Sequence, residues 1–130
     1  MIVGIGVDAV EIDRFRRSLE RTPSMKNRLF TSEELEYVQS QSDPSASLAA
    51  RFAAREAVMK AMGVGLGAFE FHDVWIQRSE SGRPMLAVTG RAQVLARQLG
   101  VADWHVSITH TETTAIAYVI AVGSASQTLI

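Results

Sequence analysis

The sequence predicts one α+β domain, a largely antiparallel sheet packed on a long central helix. Three observations carry that prediction. The segment Leu48–Gly63 is apolar almost all round a helix, as a helix in the middle of a structure must be. Two segments, 103–109 and 115–122, have strand-like patterns and lie close enough to form a hairpin. The 130 residues, 47% of them hydrophobic, suit one domain able to bury roughly two thirds of its unfolded surface.

The elements follow in order. Residues 2–7 (IVGIGV) predict a short buried strand. From Glu11 to about Glu20 the pattern is helical, with Ile12, Phe15 and Leu19 facing the core. Thr31 and Glu34 make the capping-box pattern T-x-x-E, so a helix starts there and runs to about Ser40. Ser40–Ser47 is a polar loop in which Asp43 is placed to cap the next helix, with Pro44 at its first position. The long helix runs to Met62 and is stopped by Gly63. On it Leu48, Phe52, Val58, Met59 and Met62 form a bulky stripe, and most of the remaining circumference is alanine. After the loop 63–67 come strands near 71–77 and 84–89, joined by Ser79–Gly82. Thr89 can cap a helix from about 91 to Leu99, ended by Gly100. In the closing hairpin Trp104, Val106 and Ile108 alternate with His105, Ser107 and Thr109. The domain is residues 1–122; residues 123–130 form a tail without a strong pattern, and there is no internal repeat or linker.

Composition excludes several functions. The net charge of −1 argues against a nucleic-acid binder, although Arg14, Arg16, Arg17, Arg21, Lys26 and Arg28 crowd into one stretch. With no cysteine there is no disulfide, thiolate nucleophile or sulfur-ligated zinc. Asp8 and Glu11 interrupt the apolar start, so no signal peptide is read, and the run Ala115–Val122 is too short to span a membrane. A soluble cytoplasmic protein is expected.

Glu56 and Lys60 stand at i, i+4 on the long helix, flanked by Ala49 and Ala53, whose small side chains leave room for a ligand. The plain alternative is a common helical ion pair. Gly4-Ile-Gly6-Val-Asp8-Ala9 matches the dinucleotide fingerprint G-x-G-x-x-A, but the preceding strand is too short and no βαβ unit follows. Those glycines more naturally admit a close neighbour, strand or ligand. Asp8, expected at the end of a strand, is either an N-cap or a ligand. Taken together, Asp8 and Glu56 are two carboxylates on elements expected to pack together, the usual way to hold Mg²⁺ beside phosphate oxygens, and Lys60 suits phosphoryl chemistry. The loop Gly63–Gly67 lies at the wrong end of a helix for an anion and is read as a helix exit. His72 and His105, in predicted strands, are read as structural, and His110, at the hairpin turn, as placed to meet a ligand.

Four collinear segments resemble a known family. GIGVDAVEIDRF, RFAAREAVMKAMG, the SGRP turn and WHVSITHTETTAIAYVIA are similar to segments of holo-(acyl-carrier-protein) synthases, small single-domain 4′-phosphopantetheinyl transferases. The resemblance implies transfer of 4′-phosphopantetheine from coenzyme A to a serine of an apo acyl carrier protein, with release of adenosine 3′,5′-bisphosphate, in fatty acid or polyketide biosynthesis. It implies Asp8 and Glu56 as Mg²⁺ ligands and Lys60 beside the pyrophosphate, these three forming the catalytic set. Arg51, Lys60, Gly82, Arg83, Pro84, His110 and Thr111 match positions around coenzyme A, and Arg14, Arg17 and Arg21 fall on the carrier-binding helix face. The base that activates the serine is left open between a metal-bound water and Glu56. The family is commonly a homotrimer with sites between subunits. One departure is Arg55, where the family usually has lysine; it points into the bulky stripe and is placed to pair with an acid there. The rival readings are a non-catalytic nucleotide or coenzyme A binding module and a structural oligomerisation domain.

Overall fold

Two glycines decide how the sheet meets the central helix. In the computed structural model, which describes residues 1–124, strand β1 (Ile2–Glu11) lies against helix α4 (Ser45–Met62). A Cβ added at Gly4 would sit 1.9 Å from the Ala61 carbonyl oxygen, and one at Gly6 only 1.8 Å from that of Ala57. Four helical residues rise about 6 Å and two strand residues about 6.6 Å, so these two contacts are successive rungs of one seam. The same spacing carries the strand face on to Asp8 and the helix face back to Ala53. Ala53 and Ala57 are completely buried. The nucleotide-like glycines therefore serve helix packing, and the close neighbour they admit is α4.

β1 pairs antiparallel with β5 (Thr114–Gly123), which pairs antiparallel with β4 (Val101–His110), giving the order β1-β5-β4. Ala115, Ala117, Val119 and Ala121 of β5 are fully buried on the face toward the helix. The expected single sheet is two: β2 (Val74–Arg78) and β3 (Pro84–Val88) form a separate antiparallel pair. The remaining helices are α1 (Ile12–Arg21), α2 (Met25–Leu29), α3 (Ser32–Val38) and α5 (Gly90–Gln98). Phe15 of α1 packs on Phe30 and Phe52, with ring centroids 6.2 and 5.5 Å away, so α1 is pinned by the residues its spacing predicts.

Several boundaries differ from expectation. β1 extends through Asp8 to Glu11 because its ladder with β5 continues to Glu11 opposite Thr114, so Asp8 is inside a strand and caps no helix. α2 was not foreseen, being too short for a periodic signal. His72 lies in a 3₁₀ turn, Phe71–Asp73, rather than a strand, and its Nε2 donates to the Asn27 carbonyl at 2.6 Å. Pro44 stands before α4 instead of inside it, while Asp43 accepts the Ser45 amide at 3.1 Å. Thr89 precedes α5, but its hydroxyl donates to the Asp73 carbonyl, and the Asp73 carboxylate accepts the Ala92 amide. Gly123 belongs to β5, and residues 125–130 of the predicted tail lie outside the described residues.

The predicted capping box is present: Thr31 Oγ1 accepts the Glu34 amide at 3.3 Å, and Glu34 Oε1 accepts the Thr31 amide at 3.0 Å. Glu34 does more than cap. Its carboxylate accepts two bonds from Arg55, 3.0 and 2.5 Å, and one from the Ile76 amide at 3.1 Å. Arg55 Nε donates to the Phe71 carbonyl at 2.8 Å, and both side chains are completely buried. This is the acid Arg55 was expected to find, and the pair ties α3, α4 and β2 together.

Candidate active site

The seam between β1 and α4 ends in a cluster of charge. Lys60 Nζ lies 3.0 Å from Asp8 Oδ1 and 3.1 Å from the Val7 carbonyl oxygen. Asp8 keeps 18% of its side-chain exposure and Lys60 keeps 55%. Glu56, one turn back along α4, is half-buried and shares a pocket of about 390 Å³ with Asp8. Phe52 floors that pocket, and Glu11, Arg14 and Ser18 stand at its α1 side. Burial pushes the Glu56 carboxyl above the ordinary glutamate value, and the Asp8 charge pushes it the same way, while Lys60 partly offsets both. A half-buried carboxylate with a second carboxylate beside it is a natural place for a cation.

The donor set fits Mg²⁺. Among the described residues no group of three or more His, Asp or Glu gathers to enclose an ion. Two carboxylates open to a pocket instead leave coordination positions for water and phosphate oxygens, as magnesium prefers. The alternative of Glu56–Lys60 as a plain helical pair does not hold, because Lys60 bonds to Asp8 across the seam.

The other predicted residues are spread out. Arg51 precedes Glu56 by five residues and so projects about 140° around the helix from it. It is buried, donates from Nη1 to the Ser47 carbonyl at 3.1 Å, and lies over Tyr37 at 4.7 Å. Its Nε has no hydrogen-bond partner among the described residues. Arg78, which the sequence did not single out, reaches the same ring at 5.5 Å. Gly82 takes φ +85° in the tight turn, with its amide donating to the Ser79 carbonyl at 2.8 Å. Arg83 and Pro84 then border a pocket of about 400 Å³ against Asp103, Trp104 and His105 of β4. His110 lies in the row Val10–Ala115–His110, two strands and roughly 10 Å from β1. Its Nδ1 donates to the Thr111 carbonyl at 3.2 Å, and Thr111 Oγ1 accepts the Thr114 amide at 3.0 Å. One chain thus brings together Asp8, Glu56 and Lys60, with the Gly82–Pro84 and His110–Thr111 groups elsewhere.

Arg14, Arg17 and Arg21 are exposed on α1 and line one shallow depression with Glu20. Arg17 also pairs with Asp13 at 2.8 Å. Arg14 borders both that depression and the Asp8–Glu56 pocket, so the arginine stripe runs up to the carboxylates.

The 4′-phosphopantetheinyl transferase superfamily model matches residues 4–119, which include Asp8, Glu56, Lys60 and most of the closing hairpin. The chain belongs to that superfamily. A holo-[acyl-carrier-protein] synthase of Streptomyces avermitilis is 50% identical over 123 residues, covering 94% of this chain and 98% of that protein. The crystal structure of the Neisseria meningitidis holo-[acyl-carrier-protein] synthase has a TM-score of 0.85 at 32% identity, covering 94% of this chain and 99% of the other. That of a Bacillus anthracis holo-(acyl-carrier-protein) synthase in complex with CoA (3′,5′-ADP) has a TM-score of 0.79 at 30% identity, covering 95% and 99%. The superfamily membership, the α+β class and the transferase class read from the sequence are all borne out.

The sequence missed one surface. On the sheet face away from α4, cross-strand rows join Ile5, Ile120 and His105, then Val7, Tyr118 and Ser107, then Ala9, Ile116 and Thr109. Ile5, Val7 and Tyr118 are each close to half exposed. The alternation in IVGIGV carries that signal, but it was read there as burial on both faces. No helix among the described residues is long and apolar enough to cross a membrane.

Proposed function

We propose that this chain transfers the 4′-phosphopantetheine arm of coenzyme A to a serine of an apo acyl carrier protein, with Mg²⁺ resting on Asp8 and Glu56. The observation that carries the reading is the convergence of Asp8, Glu56 and Lys60 at the end of the glycine seam, in a chain of this superfamily. Magnesium there would neutralise charge on the pyrophosphate oxygens. The carrier serine oxygen forms a bond to the phosphorus bearing pantetheine, the bridging P–O bond breaks, and adenosine 3′,5′-bisphosphate departs. The serine proton goes to Glu56 or to a water beside it. Lys60 offsets charge growing on the departing bisphosphate.

Coenzyme A is assigned to Arg51, Lys60, Gly82, Arg83, Pro84, His110 and Thr111. Inside one chain these lie apart, and a site completed by a second subunit accounts for the separation. The exposed apolar rows through Ile5, Val7 and Tyr118 support self-association, which we assign as a homotrimer. Arg14, Arg17 and Arg21 are assigned to the acidic carrier, leading its serine toward the Asp8–Glu56 pocket. The same reading places the protein in the cytoplasm with both substrates, in fatty acid or polyketide synthesis.

The deciding assay incubates the protein with coenzyme A and apo carrier protein. Release of adenosine 3′,5′-bisphosphate and a matching mass gain on the carrier are expected, both stopped by excess chelator. Binding of coenzyme A without release would leave only a binding module.

A further inference from the structure

The Lys60 ammonium rests on a carboxylate that the metal reading assigns to a divalent cation. It sits 3.0 Å from one oxygen of Asp8 and 3.1 Å from the Val7 carbonyl, on the carboxylate assigned to the metal. We propose that Lys60 is the resident counter-ion of the metal-free site, holding Asp8 until a divalent cation displaces it and thereby weakening the site's affinity for that cation. This rests on the assignment of Asp8 and Glu56 as metal ligands.

Three features support the role. Asp8 is mostly withdrawn from water and shares its pocket with Glu56, so an empty site would hold two carboxylates with little to screen them. Lys60 supplies the missing charge from across the seam. A carboxylate has lone pairs for both an ammonium and a metal, but the two cations would stand roughly 4–5 Å apart and repel. Finally, Lys60 is free to leave: its side chain is 55% exposed, and among the described residues its hydrogen bonds go to Val7 and Asp8. Once released, the ammonium can meet a phosphate of the incoming substrate, so metal and substrate binding are coupled through one side chain.

The probe is Mn²⁺, followed by the loss of its free-ion electron paramagnetic resonance signal on the whole protein without substrate. A half-exposed ion pair is weak, so Lys60→Met is expected to bind Mn²⁺ about three- to tenfold more tightly. In chelator the same variant should melt below the wild type, and Mn²⁺ should close that gap. Lys60→Arg keeps the charge and should stay near wild-type affinity. Lys60→Met binding Mn²⁺ no more tightly than the wild type would overturn the inference while leaving the metal site intact. Wild type binding Mn²⁺ no better than Asp8→Asn and Glu56→Gln would instead overturn the metal assignment, and the inference with it.

Discussion

Helix α4 carries an ion pair on each side, and the two are built to opposite ends. Arg55 and Glu34 are completely buried, with backbone groups of Thr31, Phe71 and Ile76 completing their hydrogen bonds. Lys60 and Asp8 lie partly in water, with Glu56 beside them carrying a raised affinity for its proton. Arg55 and Glu56 are sequence neighbours, yet one is fully paired inside the protein and the other is left half-buried beside a second carboxylate. The difference shows that charge on a helix says little about its use; the completeness of its partners says more.

The largest expected effect tests the incomplete side. Asp8→Asn and Glu56→Gln should each lower turnover on the order of 10³-fold while the melting temperature barely moves. Near-normal turnover in both would erase the contrast. On the complete side, Glu34→Gln should cost about 3–5 kcal/mol in urea unfolding, because it leaves the Arg55 charge buried and unpaired. Replacing both, Glu34→Leu with Arg55→Met, should recover most of that loss, and turnover per folded molecule should stay close to wild type.

A smaller effect separates the two sides by pH. In metal-free protein Glu56 holds its proton more tightly when folded than when unfolded. Its contribution is therefore fully present below the ordinary glutamate range and is lost as pH rises through that range to the raised value. Thermal melts across mildly acidic pH in chelator should show that decline, and Glu56→Gln should flatten it. Smallest is the change expected at the rim, where Arg14→Glu with Arg21→Glu should weaken carrier binding about tenfold and reduce its salt dependence. Coenzyme A affinity should not change; titrations at two salt concentrations check both.

Much of this was legible before any coordinates. The alternation in residues 103–109 and the alanine-rich circumference around Leu48–Met62 placed the hairpin and the central helix. The spacing of Glu56 and Lys60, read with Asp8, gave the charged cluster. What escaped was set by contacts between distant segments. A helix cap stayed open as a reading of Asp8 because the ladder that keeps it extended runs to Thr114, far along the chain. Glu34 read as a local cap because nothing nearby in sequence announces Arg55 or Ile76. Arg51 matched the family pattern, but helical geometry turns it away from Glu56 toward Tyr37.

The pairing of β1 with β5 has a consequence for synthesis on the ribosome. Ile2 lies opposite Val122, so the strand bearing Asp8 is made long before its hydrogen-bonded partner. At about 5–20 residues per second, β1 waits roughly 6–25 s for that partner to be made. The glycines that let it lie on α4 give it no side-chain grip of their own during the wait. Asp8 therefore gains its fixed position only after translation has passed β5, and a nascent chain stalled short of it would carry α4 without the Lys60–Asp8 pair.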